Sequence, residues 1–342
     1  MKKLLNTLFV TSEDIYLSLD GENVLANREH EIIARYPLHT LQDIVTFSYS
    51  GASPALMGKC ASDGIGLSFC TPRGKFLARV SGKNNGNVLL RRQQYRIADE
   101  PYQCCRVARS MVFGKIYNCR QSLERTRRDH ALVVGDSLTA PSDKLKLALP
   151  AISEETDLTS LRGLEGAAAK VYFDCFDSLI LQNKDCFTFE TRNRRPPTDP
   201  INALLSFAYS LLANDCASAL ESVGLDAYVG FMHRDRPGRA SLALDLMEEL
   251  RPCMAERFVL TLVNNRVLSE KDFERQESGA VYMTDNSRRA FLKSWQEKKQ
   301  EKLTHPFLGE KLQWGMIPYV QALLLTRYIR GDIDAYPPFL WK

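Results

Sequence analysis

The chain has no Cys-x-x-Cys pair, and its nine cysteines are an odd number. Structural zinc and a complete disulfide framework are therefore both poor readings. Cys104 and Cys105 are adjacent, which suits no shared tetrahedral site, and several others sit among apolar residues, as in Phe173-Asp-Cys175-Phe176. These are expected to be reduced cysteines of a cytoplasmic protein. No uninterrupted run approaches 18 apolar residues, so no membrane span is expected. At the start, Asn6 and Thr7 break the apolar run and no small-residue cleavage site follows. The segment Thr7-Leu-Phe-Val10 is better read as a first strand than as part of a signal peptide. Internal repeats and low-complexity segments are absent. Histidine is scarce, with five in 342 residues, so each one's surroundings matter.

What remains is ordinary for a globular protein: 44% hydrophobic, 25% charged and a net charge of +4. The length favours two domains. Residues 1–95 read as β, with short runs such as Ile15-Tyr-Leu-Ser-Leu, a tight turn at Asp20-Gly21, and Asn23-Val-Leu-Ala beyond it. A short helix near Ser53 to Ala61 interrupts them. This pattern predicts a sandwich or rolled sheet. From residue 96 to 342 apolar residues recur at three- and four-residue spacing. The helices expected there are Tyr102 to Phe113, Ser142 to Leu149, Leu161 to Phe176, Ile201 to Val223, Ser241 to Arg251, Phe258 to Val267, Ser287 to Lys302 and Met316 to Ile329. The fold class is thus α+β, an N-terminal β domain followed by a larger all-α domain.

Of the five histidines only His233 has telling neighbours. A lone histidine is more often structural than a ligand. This one ends an apolar run, Gly230-Phe-Met, and precedes a helix that sets Asp245 and Glu248 on one face. By helical spacing alone, Asp245, Glu248 and Glu249 read as a solvated acidic face. Glu165 lies between Gly163 and Gly166, where small residues admit a close approach; alone it reads as a helix carboxylate near the N-terminus. Imidazole with carboxylates can hold a divalent ion. Basic residues surround the same segments: Arg91 and Arg92, Arg194 and Arg195, then Arg234, Arg236 and Arg239. Each run alone is a solvated surface; converging on a metal they would form a phosphate track.

Several motifs occur together and in order: Ser53-Pro-Ala-Leu-Met, Gly86-Asn-Val-Leu-Leu-Arg91-Arg92-Gln-Gln-Tyr95, Gly163-x-Glu165-Gly-x-Ala-Ala, Asp199-Pro-Ile-Asn202 through Tyr209, and Gly224 to Pro252. Together they resemble the universal CRISPR-associated integrase family, the larger of the two spacer-adaptation proteins, and most closely its type I-C branch. The resemblance spans nearly the whole chain. It implies that Glu165, His233 and Glu248 form a metal-binding catalytic triad, with Asp245 assisting and Tyr209 near the site. Glu249 competes with Glu248 for the third position, and helix phase favours Glu248 because it shares a face with Asp245. The resemblance further implies Mg²⁺ or Mn²⁺, DNA cleavage, and joining of prespacer 3′-hydroxyls to the CRISPR repeat. It also implies homodimers formed through the N-terminal domain and bridged by a small dimeric partner protein. A branched-DNA repair nuclease and a non-catalytic DNA-binding scaffold are the alternative functions.

Overall fold

The computed structural model describes residues 6–82, 88–193 and 196–341. Their contacts divide into two compact units, residues 1–85 with 284–301, and residues 86–283 with 302–342.

In the first unit, strands β1 (Thr7–Val10), β2 (Tyr16–Asp20), β3 (Asn23–Arg28), β4 (Glu31–Pro37) and β5 (Asp43–Thr46) precede helix α1 (Pro54–Asp63), β6 (Gly66–Cys70) and β7 (Phe76–Arg79). Two sheets result. One has the order β1-β5-β6-β7, with β1, β5 and β6 parallel and β7 antiparallel; the other is the antiparallel meander β2-β3-β4. Parallel neighbours need a crossover, and α1 supplies the one between β5 and β6. Ser53 starts that helix by accepting from the Leu56 N–H, Pro54 follows, and Gly64 ends it at φ +68°. The β2–β3 hairpin forms at the expected turn, with Asp20 opposite Asn23 and Gly21 at positive φ. Leu17, Val24, Leu38, Ile44, Leu56, Cys60 and Leu67 form the buried core. The helix Asp285–Gln300 also belongs here. It buries Phe291, Leu292 and Trp295; its Arg288 donates to the Pro72 carbonyl at 2.5 Å and its Lys299 to Thr7 at 3.4 Å.

The second unit is mainly helical. Its helices are α2 (Val88–Asp99), α3 (Pro101–Asp129), the single turn α4 (Ala131–Val134), α5 (Thr139–Glu154), α6 (Leu158–Asp174), α7 (Pro200–Ser222), α8 (Ser241–Leu250), α9 (Arg257–Asn264) and, after α10 (the Asp285–Gln300 helix of the first unit), α11 (Ile317–Arg330). Two small hairpins, β8–β9 (Phe273–Arg275 with Val281–Met283) and β10–β11 (Lys302–Thr304 with Lys311–Gln313), add strands where only helices were expected. The boundary expected at residue 95 falls near 85, because α2 packs within the second unit. Its Leu90 and Ile97 are buried, and Gln94 donates to the carbonyls of Asp226 and Val229.

The long helix α3 runs against α5, α6 and α8. α7 is long and apolar enough to cross a membrane by length and composition, but 67% of its most apolar stretch is buried, as in a core helix. A π-helical turn, Arg251–Glu256, follows α8 at Pro252. Proline cannot donate a backbone hydrogen bond, so the regular ladder breaks there. The C-terminal segment buries Tyr336, Phe339 and Trp341. Gly114 of α3 admits it closely, since a Cβ there would lie 2.9 Å from Pro338 and 3.0 Å from Glu249.

Candidate metal and catalytic site

Three helices of the second unit bring Lys115 (α3), Glu165 (α6) and Glu248 (α8) together. The Lys115 ammonium pairs with Glu165 Oε1 and, at 2.6 Å, with Glu248 Oε2. Arg251 donates to the other oxygen of Glu248 at 2.7 Å. Burial alone would raise the Glu248 carboxyl, but Arg251 and Lys115 more than offset it and hold it at about 2. Burial would likewise discharge Lys115, yet Glu248 and Glu165 outweigh it and keep the ammonium above its ordinary value. Both groups are therefore charged at neutral pH.

His233 is positioned by Asp245, which is completely buried. One carboxylate oxygen accepts from the N–H groups of Phe231 at 2.6 Å and Met232 at 2.9 Å. The other accepts from the N–H of His233 at 3.0 Å and meets its ring Nδ1 at 2.6 Å. An ionised carboxylate can only accept, so Nδ1 is the donor, which leaves Nε2 as the nitrogen whose lone pair a metal would use. This is the arrangement that orients a metal-binding imidazole. Arg162, one turn before Glu165 on α6, locks the same loop by donating to the Met232 carbonyl at 2.5 and 2.9 Å. Gly230 is required, because a Cβ would come within 2.8 Å of Asp245 and Ser241. Beside His233 opens a cleft of about 380 Å³, lined in part by Tyr95, Leu158, Arg162, Arg234 and Asp235.

The three acidic residues of α8 are buried, so the solvated acidic face expected from spacing does not exist. Glu249 turns away from Lys115 to the C-terminal segment, accepting from the Tyr336 hydroxyl at 2.5 Å, Gln321 at 2.8 Å and the Phe339 N–H at 3.0 Å. Burial pushes its carboxyl up to about 7 despite those donors. Tyr209 donates to Glu256 at 2.6 Å, and the guanidinium of Arg251 stacks 4.4 Å from its ring centre. Burial and the Glu256 charge push the phenol far above its ordinary value. Arg251 thus lies between Tyr209 and Glu248, touching both.

Of the expected DNA-contacting arginines, Arg92, Arg234 and Arg236 are exposed and Arg239 is half-buried. Arg91 donates to the Gly224 carbonyl at 3.1 Å, a structural use. Arg194 and Arg195 lie outside the described residues. Lys115 belongs to a basic run, Arg106 to Arg128, that reads as solvated surface or phosphate track, and Arg251 closes the Gly224 to Pro252 motif; neither they nor Arg162 were expected in the site itself. Lys115 carried a signal, as one lysine on a helix stripe formed by Met111, Ile116 and Cys119.

Among the described residues no three of His, Cys, Asp and Glu are close enough to hold a metal as they stand. The donor set nevertheless fits a divalent ion. Two carboxylates already converge on one cationic centre, the Lys115 ammonium, and an oriented imidazole accompanies them.

Residues 8–297 match the family described as CRISPR associated protein Cas1. The protein named CRISPR-associated endonuclease Cas1 1 of Chlorobaculum tepidum is 48% identical over 343 residues, covering the whole of both chains. Two solved structures share the fold. A casposase bound to integration product aligns with a TM-score of 0.83 at 20% identity, covering 98% of this chain and 94% of the other. A Cas6-RT-Cas1–Cas2 complex aligns with a TM-score of 0.81 at 23% identity, covering 100% of this chain and 36% of the other. With a family match across most of its length and a full-length relative at nearly half identity, the chain belongs to the CRISPR-associated Cas1 family.

Proposed function

We propose that this chain is a metal-dependent DNA endonuclease and integrase that inserts new spacers into CRISPR arrays. The observation that carries this reading is the convergence of Glu165 and Glu248 on one buried cationic centre, in the same helical unit as a histidine whose ring Asp245 orients. Glu165, Glu248 and His233 Nε2 would hold Mg²⁺ or Mn²⁺. When bound, the ion supplies a Lewis acid for the scissile phosphate and for the oxygens that attack and leave. Asp245 fixes the orientation of the imidazole through its Nδ1. Arg251, backed by Tyr209, fixes the orientation of Glu248. Exposed Arg234 lines the His233 cleft and exposed Arg236 follows two residues later in the chain; both would hold phosphates and so position the prespacer end without reading its sequence.

The chain is proposed to act as a homodimer through its N-terminal unit, where Tyr16, Ile32, Ile33 and Tyr36 leave apolar surface on the β2-β3-β4 sheet. A small dimeric partner, such as the Cas2 named in the complex that shares this fold, is proposed to bridge two dimers on the prespacer duplex. All nine cysteines are free, in keeping with a cytoplasmic setting.

The test is a strand-transfer assay with the partner, a duplex bearing free 3′-hydroxyls and a repeat-containing plasmid, in Mn²⁺ or in EDTA. Joining at the repeat that needs the metal, and that is lost in Glu165→Ala, His233→Ala and Glu248→Ala while DNA binding persists, is the expected result. Normal joining by any one variant removes that residue from the triad.

A further inference from the structure

Lys115 sits where three helices meet and is 5% exposed. Its ammonium is the group that holds Glu165 on α6 to Glu248 on α8. A hard divalent cation seeks those same carboxylate oxygens. An ammonium left beside such an ion would repel it strongly in a buried setting. Without the ammonium, two carboxylates would face each other with one positive charge fewer between them, which disfavours their joint ionisation. We propose that Lys115 is a resident counter-cation. It neutralises the ligand carboxylates before the metal arrives and must withdraw for the metal to bind, so uptake is an exchange of one cation for another. The lysine's four-carbon stem is flexible enough to swing aside, whereas Arg251 keeps its separate hold on Glu248 Oε1 and preserves that carboxylate's orientation through the exchange. The inference rests on the reading of Glu165, His233 and Glu248 as metal ligands.

The experiment compares full-length wild type with Lys115→Met by calorimetric titration with MnCl₂ alone, together with thermal melts in EDTA and in saturating Mn²⁺. Lys115→Met is expected to bind Mn²⁺ at least about tenfold more tightly. Its melting temperature in EDTA should fall, and the gap between the two melts should widen. Lys170→Met, at an exposed position of α6, should leave the affinity unchanged. Equal or weaker binding by Lys115→Met overturns the exchange, as does equal tightening by both variants, which would be a bulk charge effect. If wild type binds no Mn²⁺, the ligand reading falls and the exchange with it; if wild type binds but Lys115→Met binds no more tightly, only the exchange falls. Should Lys115→Met fail to fold, amine-reactive labelling of wild type decides. Lys115 should be unreactive in EDTA and reactive in Mn²⁺, and labelling unchanged by the metal overturns the proposal.

Discussion

Asp245→Asn should cost far more stability than its small change in shape implies. The carboxylate is fully buried and receives four contacts, two on each oxygen. An amide keeps only one accepting oxygen. If that oxygen faces His233, the NH₂ group meets the N–H groups of Phe231 and Met232, and two buried donors lose their acceptor. At about 1–3 kcal/mol for each orphaned donor, the loss is roughly 2–6 kcal/mol. That is a large share of the 5–15 kcal/mol or so that holds a typical domain together. In the other orientation the NH₂ group meets the His233 N–H and the ring Nδ1, which forces the wrong tautomer. Either way the His233 loop loosens, and strand transfer should fall even below the unfolding transition. Urea unfolding of metal-free protein measures the stability term directly. A variant within about 0.5 kcal/mol of wild type would refute the argument. A variant destabilised only in the presence of Mn²⁺ would make Asp245 a metal ligand instead of the anchor of the loop.

Glu249 gives a pH signature. Its carboxyl is raised from the ordinary 4.5 to about 7 in the fold, so its contribution is fully present below pH 4.5 and is lost as pH rises through 7. At ~1.4 kcal/mol per unit this is roughly 3 kcal/mol, and Glu249→Gln should flatten the urea stability profile between pH 5 and 8; parallel profiles would sink the assignment. Glu248 runs the opposite way, its contribution present above pH 4.5 and lost as pH falls toward 2. Glu248→Gln should therefore blunt acid unfolding, and unchanged acid sensitivity would contradict the paired-carboxylate geometry. Tyr209→Phe leaves Glu256 short of a donor and should cost ~1–3 kcal/mol, while strand transfer stays within about tenfold of wild type. A loss of activity beyond about a thousandfold would make the phenol a reacting group. Arg236→Ala should weaken DNA binding without changing sequence preference and lower the salt slope by about one. An unaltered slope would take Arg236 off the phosphate track.

Local signals located most elements. Asp20-Gly21 marked a hairpin, and the helices expected near Ser53 to Ala61 and Ile201 to Val223 form, started in the structure by the side chains of Ser53 and Asp199. Helix phase sets Glu248 and Glu249 on different faces, and in the structure they meet different partners, Lys115 and Tyr336. The burial of α8 was not legible. Its acidic residues are compensated by groups far along the chain: Glu248 by Lys115, Glu249 by Tyr336, and Asp245 by the backbone of residues 231–233. Spacing within one helix carries no trace of such partners, so it reads the carboxylates as solvated. Helix α2 was missed for a related reason. Its few buried residues, Leu90, Gln94 and Ile97, lie in a strongly polar stretch that reads as a junction.

The two units are interleaved along the chain, each resuming after the other has begun. Neither unit is one continuous stretch of chain. A piece ending near residue 95 would lack α10, and with it the Arg288 grip on Pro72 and the Lys299 contact with Thr7. Finishing the N-terminal unit therefore requires closing a loop of about two hundred residues, an entropic demand that grows only slowly with length but must be met before the long-range contacts form. Folding of the intervening helices shortens that loop in effect. Assembly of the two units is thus coupled through the connectivity of the chain, and high contact order is built into the N-terminal unit despite its short, local hairpins.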